Sequence, residues 1–313
     1  MYTLRAIAAT LSILAIGYVV FSSLVAASWR PLAERFSRRS SVAFARFLYG
    51  LRVGPFVGAV VAAFLFELPA FLFFVPKVGD EPLAPAPVSL SILSIAFAVV
   101  VLWRTVAACR HTSELCESWT TGRHSVHGDE QLQVYETNAS GPPVAVVGFR
   151  TPRLLLSPQL KTILERGELE RALAHETAHV RQRDNLRKLI LLLCRFPGMK
   201  RLDAAWTEAT EFAADERAVK SKREALDLAS ALVKIAALGA PAGKAEALVT
   251  NFLGGSASTA RRVQKLAAWE KERGEPGSLI YPMLGITATV LALILSYGAI
   301  LTRLHSFTEI LFY

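Results

Sequence analysis

Four long apolar runs constrain this chain more than any other feature. Residues 3–28 are nearly uninterrupted apolar sequence, with only Arg5 near the start. Residues 53–75 form a second run, carrying Glu67 and Pro69, and residues 88–109 a third, which contains Trp103 and Arg104. Residues 279–301 form a fourth, without a charge. A helix rises ~1.5 Å per residue, so about 20 residues cross the ~30 Å hydrocarbon core of a bilayer. A helix also satisfies its own backbone polar groups, which lipid cannot do. The expectation is a mainly α integral membrane protein with four transmembrane helices, three before and one after a polar α+β region. Hydrophobic residues make up 52% of the chain and mean hydropathy is +0.36, too apolar for an ordinary soluble domain. The expected layout is membrane helices within 1–110, a polar domain at 111–277, a last membrane helix at 278–302 and a short tail at 303–313.

The first run is too long for the apolar core of a signal peptide, although Ala26-Ala27-Ser28 loosely offers a cleavage site. The charge after it is basic: Arg30, Arg35, Arg38, Arg39, Arg46 and Arg52 against the single acid Glu34. Short basic loops stay in the cytoplasm, which places residues 29–52 inside. The proline-rich stretch 76–87, with Lys77, Asp80 and Glu81, is then outside, and Arg104 and Arg110 return the chain to the inside. Residues 111–277 are expected in the cytoplasm and both termini outside. The net charge of +9 is accounted for by basic loops beside anionic lipid head groups. No finger or phosphate-binding motif accompanies it, so no direct nucleic-acid contact is expected. Glu67 is expected either to face water near the outer interface or to mark a polar, proline-kinked spot that couples the membrane to the rest of the protein.

Within the polar region, His175-Glu176-Thr177-Ala178-His179 spells H-E-x-x-H in a stretch that reads as a helix from Glu168 to about Arg183. Residues i and i+4 share a helix face, so both imidazoles can reach one metal ion. Two imidazoles suit Zn²⁺ and leave room for a third ligand and a water. Glu176 stands beside them as the candidate base for that water. Glu211, on a second helical segment from about Leu202 to Lys220, can supply the third ligand, with Glu208 and Glu216 as nearby rivals. Asp215, one turn on, is placed to accept from a ligating imidazole, or alternatively to pair with Arg217 or Lys220. One Zn²⁺ per chain is expected. Cys109, Cys116 and Cys194 are odd in number and expected to be free, and Cys109, His111 and Cys116 fit no common metal spacing.

Leu132–Glu136 and Val144–Leu156 read as short strands around an Asn138–Pro143 turn. Phe149–Leu156 carries Pro152 and reads as an edge strand, able to add an extended substrate or to form a plain hairpin. Ser157-Pro158 reads as a helix start, and Gly167 as a stop before the His175 helix. Leu186–Phe196 is too short to span a bilayer. Helical segments are expected at about Arg223–Leu238, Lys244–Phe252 and Ser258–Lys271.

Three membrane helices, an H-E-x-x-H domain and one last membrane helix resemble the order in the beta-lactam-sensing antirepressor metallopeptidases of the BlaR/MecR type. Locally the resemblance rests on Ala174–Val180, Arg183-Asp184-Asn185-Leu186, Phe196-Pro197, and Glu211 with Asp215-Glu216. It implies a gluzincin fold related to the CAAX-processing and HtpX membrane proteases, with His175, His179 and Glu211 as zinc ligands and Glu176 as base. It further implies a bacterial inner-membrane endopeptidase acting in signal transduction, whose partner is a protein substrate such as a cytosolic transcriptional repressor. The large outer sensor domain of such proteins is not expected in the twelve residues after Leu301. A membrane quality-control protease and a non-catalytic scaffold that keeps the zinc fold stand as alternatives. The oxyanion donor stays open among an Arg, His or Tyr of the helical subdomain.

Overall fold

A computed structural model describes residues 1–36, 40–76, 84–120, 133–138, 141–238, 249–251, 256–269 and 296–306. The chain is mainly helical, with a small sheet, and divides into two compact units. One comprises residues 1–30, 51–100 and 273–313, the other residues 31–50 and 101–272.

Three helical stretches are long and apolar enough to cross a membrane: Tyr2–Phe36 (α1), Ser41–Phe74, and Pro85–Trp119 (α4). The second consists of α2 (Ser41–Val61), a π-helical stretch Ala62–Glu67, and α3 (Leu68–Phe74). All three outrun the apolar sequence that marks them. Of the fourth expected span, residues 279–295 lie outside the described residues, and 296–306 are helical.

In the first unit the helices meet through small and hydroxyl side chains. Gly17 lies against Ala59, where an added Cβ would sit 3.5 Å from the Ala59 Cα. The buried Ser12 hydroxyl donates to the carbonyls of Ala8 and Pro87, and Ser91 donates to those of Pro87 and Ala8. Lipid gives no hydrophobic drive between helices, so close backbone approach and such bonds hold them. Leu24, Ile92, Leu93 and Val99 point outward and are exposed, as suits an apolar solvent.

Pro69 lacks the N–H that would reach the Leu65 carbonyl four residues back, and the helix widens into its π-helical stretch there. The Tyr297 hydroxyl donates to that carbonyl at 2.7 Å. Glu67 ends this stretch at 1% exposure, so the expectation that it faces water is overturned. The packed helices around the bend exclude solvent from it.

The second unit contains a four-stranded sheet in the order β1-β3-β2-β4. Its strands are β1 (Gln133–Glu136), β2 (Val144–Val147), β3 (Arg153–Leu156) and β4 (Val249–Asn251). Strand β3 pairs in parallel with β1 and antiparallel with β2, and β4 pairs antiparallel with β2. The expected edge strand is therefore central, because Pro152 falls one residue before β3 and removes no ladder bond. Both β2 and β3 are buried almost throughout, as the apolar runs Val144-Ala145-Val146-Val147 and Leu154-Leu155-Leu156 require of central strands. Val249–Asn251, expected in a helix, is instead β4; Lys244–Ala247, Leu248 and Phe252 lie outside the described residues.

Around the sheet lie α5 (Leu160–Ile163), α6 (Arg166–Gln182), α7 (Asp184–Leu193), α8 (Lys200–Ala218), α9 (Lys222–Ala237) and α10 (Ser256–Ala267). The expected start at Ser157-Pro158 forms a turn, Leu160 N–H to Ser157 carbonyl, before α5 begins. Gly167 is no stop: it lies in the first turn of α6, which is opened by a reciprocal capping box between Glu165 and Glu168. Helix α6 packs on α8 and α9, and α10 bridges α8 and α9. Ala172, Ala178, Ala213, Ala214, Ala218, Ala225 and Ala231 are buried, and their short side chains let these helices approach closely. Leu154, Leu156, Leu160, Leu228, Leu232 and Ile235 fill the core between sheet and helices.

Candidate metal centre

Helix α6 runs through the interior, and His175, Glu176 and His179 are buried on it, the first two completely. Helix α8 brings Glu211 and Asp215, one turn apart and both 4% exposed. His175, His179 and Glu211 converge, with one ligand atom from each within 4.8 Å of the others. The His175 and His179 Nε2 atoms are 3.1 Å apart. Glu211 Oε2 lies 3.5 Å from His175 Nε2, and Oε1 lies 3.6 Å from His179 Nε2.

The far side of each ring decides what these atoms are. His175 Nδ1 is 2.8 Å from Asp215 Oδ1, and His179 Nδ1 is 2.8 Å from Asp184 Oδ2. An ionised carboxylate only accepts, so each Nδ1 carries a hydrogen. In the neutral tautomer both Nε2 lone pairs then face the same point as the Glu211 carboxylate. Three such acceptors this close repel one another unless a cation or proton lies among them. A tetrahedron of ~2.0–2.1 Å bonds has edges of about 3.4 Å, close to the three separations observed. Two imidazoles and a carboxylate are also a borderline donor set that suits Zn²⁺ and leaves a fourth position.

Glu176 supplies a second indication. Both of its carboxylate oxygens are buried and make no hydrogen bond among the described residues. Such a group is costly unless it meets a charge or a bound molecule. Burial pushes its pKa up, against the lowering influence of the two histidines. A base working near neutral pH needs a shift in that direction.

Arg262, from α10, completes the cluster from behind. It is fully buried, with Nε and Nη2 each 2.8 Å from an Asp215 oxygen and Nη1 3.0 Å from Glu211 Oε2. Burial would raise the Glu211 pKa, but His179, Arg262 and His175 outweigh it and bring it down to about 2. Asp215 is likewise held well below the usual carboxylate range, Arg262 and His175 outweighing burial. For His175, burial and Arg262 oppose protonation, while Asp215 and Glu211 favour it more strongly and raise its pKa to about 9. The carboxylates thus attract positive charge to this imidazole, and a metal ion satisfies the same demand in place of the proton. Lys188 on α7 is half-buried near Glu211, Asp184 and Glu176; burial lowers its pKa against their attraction.

All five residues singled out from the sequence therefore meet in one place. The rivals point elsewhere: Glu208 pairs with Arg261, and Glu216 accepts from Ser41 and pairs with Lys265. Asp215 pairs with Arg262 rather than with Arg217 or Lys220. Two members of the cluster escaped sequence reasoning. Asp184 gave a signal in the Arg183-Asp184-Asn185-Leu186 segment but no role. Arg262 is an arginine of the helical subdomain, yet its guanidinium is committed to carboxylates and is not exposed to a substrate. No family model matches this sequence, and neither does any curated protein.

Proposed function

We propose that this protein is a membrane-embedded zinc endopeptidase. The reading is carried by the convergence of two Nδ1-tethered imidazoles and Glu211 beside the unpartnered carboxylate of Glu176. His175, His179 and Glu211 would hold the ion. Zinc, when bound, acidifies a water and polarises a carbonyl. Glu176 takes a proton from the attacking water and delivers it to the leaving amine, as the peptide C–N bond breaks and the water oxygen joins the carbonyl carbon. Asp215 and Asp184 hold the two imidazoles in one tautomer and orientation. Arg262 keeps Asp215 and Glu211 ionised and in place.

The catalytic domain is cytoplasmic, three membrane helices precede it and a fourth follows it, in a bacterial inner membrane. The arginines after the first span support that orientation. The order of segments and the H-E-x-x-H and Glu211-x-x-x-Asp215 patterns support a regulatory protease of the BlaR/MecR type. Its substrate is then a cytosolic or membrane-proximal protein such as a transcriptional repressor.

The test compares wild type with Glu176→Gln in cells, by proteomics, and after purification in detergent, by metal analysis. A cytosolic protein should accumulate uncleaved in the variant, which should keep about one zinc per chain. His175→Ala, His179→Ala and Glu211→Ala should lose the zinc. Cleavage by Glu176→Gln at the wild-type rate would sink the mechanism. Zinc binding with no cleavage by the wild type of any cellular protein would leave a scaffold.

A further inference from the structure

A cavity of about 400 Å³ opens directly beside His179. Its walls come from the end of β2, the turn between β2 and β3, and the junction of α6 with α7. Val146, Phe149, Val180 and Leu186 make it apolar. This volume is within the ~300–1,000 Å³ of typical ligand pockets.

Its polar groups are nearly all engaged with the protein itself. Asn185 donates to the carbonyls of Val146 and Gly148, at 3.1 and 2.9 Å, which ties α7 to the end of β2. Asp184 is taken by His179 and by Arg187, whose Nη1 is 3.1 Å away. Its charge is therefore already balanced where it meets the cavity. Arg150 and Arg183 differ. Both line the cavity, both are exposed, and neither guanidinium has a hydrogen bond or ion pair among the described residues.

Arg183 is also held in an unusual conformation. It has φ 55° and ψ 42°, the left-handed region, and is the sole non-glycine residue with positive φ among those described. Glycine or asparagine would take this position more cheaply, by ~1–2 kcal/mol in the case of glycine. The turn it makes ends α6, starts α7 and lets Asp184 reach back to His179. It also puts a cation at the mouth of the cavity.

We propose that this cavity is a specificity subsite that takes an acidic side chain of the protein substrate, next to the scissile bond. The inference rests on the endopeptidase reading above and names the substrate chemistry of that site. An apolar wall with two guanidinium groups at its rim matches a Glu or Asp, whose methylene stem packs while its carboxylate meets the arginine forks.

Binding and cleavage are tested separately on the full-length, zinc-loaded protein. A short fluorescein-labelled, C-terminally amidated peptide with a pair of glutamates is compared with its glutamine twin. Fluorescence anisotropy on Glu176→Gln should show the glutamate peptide binding about tenfold tighter, with a preference that weakens in salt. In Glu176→Gln carrying Arg150→Gln and Arg183→Gln as well, the ratio of the two affinities should fall to about one. Thermal unfolding of the same samples checks that the fold persists. Single Arg150→Gln and Arg183→Gln variants replace the combined one if it unfolds, each narrowing the ratio. A glutamine peptide with a free C-terminal carboxylate that binds as tightly as the glutamate peptide would overturn the assignment to a side chain. So would equal binding of the amidated twins. Wild-type cleavage of a mixed peptide pool, read by mass spectrometry, should be enriched in Asp and Glu next to the cut. Cleavage without that enrichment overturns the subsite and leaves the peptidase standing. Discriminating binding without any cleavage does the reverse.

Discussion

Asp184→Asn isolates what the carboxylate behind His179 does for metal binding. The wild-type carboxylate is 1% exposed, 2.8 Å from His179 Nδ1 and 3.1 Å from Arg187 Nη1. Asparagine keeps the shape and removes the charge. A hydrogen bond to a charged partner contributes ~1.5–3 kcal/mol and a neutral one ~0.5–1.5, so about 1–1.5 kcal/mol of support for the imidazole is lost. That corresponds to about a tenfold weaker zinc affinity. If the amide turns its NH₂ toward Nδ1, the hydrogen moves to Nε2 and the ligand lone pair disappears. The loss then approaches about a hundredfold, the upper range for removal of such orienting groups. Arg187 is partly exposed, so the broken pair costs at most about 1 kcal/mol of stability and the fold should survive. Competition for zinc against a fluorescent chelator, on detergent-purified full-length protein, measures the affinity. Thermal unfolding reports the fold in parallel. An affinity within twofold of wild type in a folded variant would show that Asp184 does not hold the ligand, and the tautomer argument would fail with it.

Three more outcomes follow from other parts of the molecule. Gly148→Ala should lower stability by about 1–2 kcal/mol in denaturant titration, because φ is +91° and the new Cβ would meet the Thr151 carbonyl oxygen at 3.0 Å; an unchanged midpoint would mean that this turn relaxes freely. Glu168 is 5% exposed, and although burial raises its pKa, Lys234, Ser230 and the Glu165 N–H outweigh that and lower it below the ordinary 4.5. Its ionised form therefore adds stability above about pH 4.5 that is lost as pH falls through the lowered folded value, so the melting gap between wild type and Glu168→Gln should be full at pH 7 and close in acid; a gap that does not vary with pH contradicts this. Cysteine introduced at Ser40 should be labelled from the cytoplasm and at Ala84 from outside; labelling of both from one side would remove the intervening span.

Much of the candidate site could be read from the sequence because its parts are local. His175 and His179 share a face of one helix by their spacing, and so do Glu211 and Asp215. The apolar runs were legible for a similar reason, since length and composition alone decide whether a helix can live in lipid. What tertiary structure decided is everything that depends on partners distant in sequence. Arg262 meets Asp215 across 47 residues, on a helix whose own pattern shows no more than an amphipathic face. Asp184 lies only five residues from His179, yet it reaches the ring only because Arg183 turns left-handed between two helices. Strand β3 was misread as an edge, because propensity describes a strand while its place in a sheet depends on β1 and β2 arriving from either side. Val249–Asn251 became a strand for want of nothing but an open neighbour, β2. Depth in a span leaves open whether Glu67 faces water or a packed, kinked spot, because its burial depends on which helices surround it. Periodicity reports what a segment can do alone; burial, pairing and charge balance belong to the neighbours that folding brings.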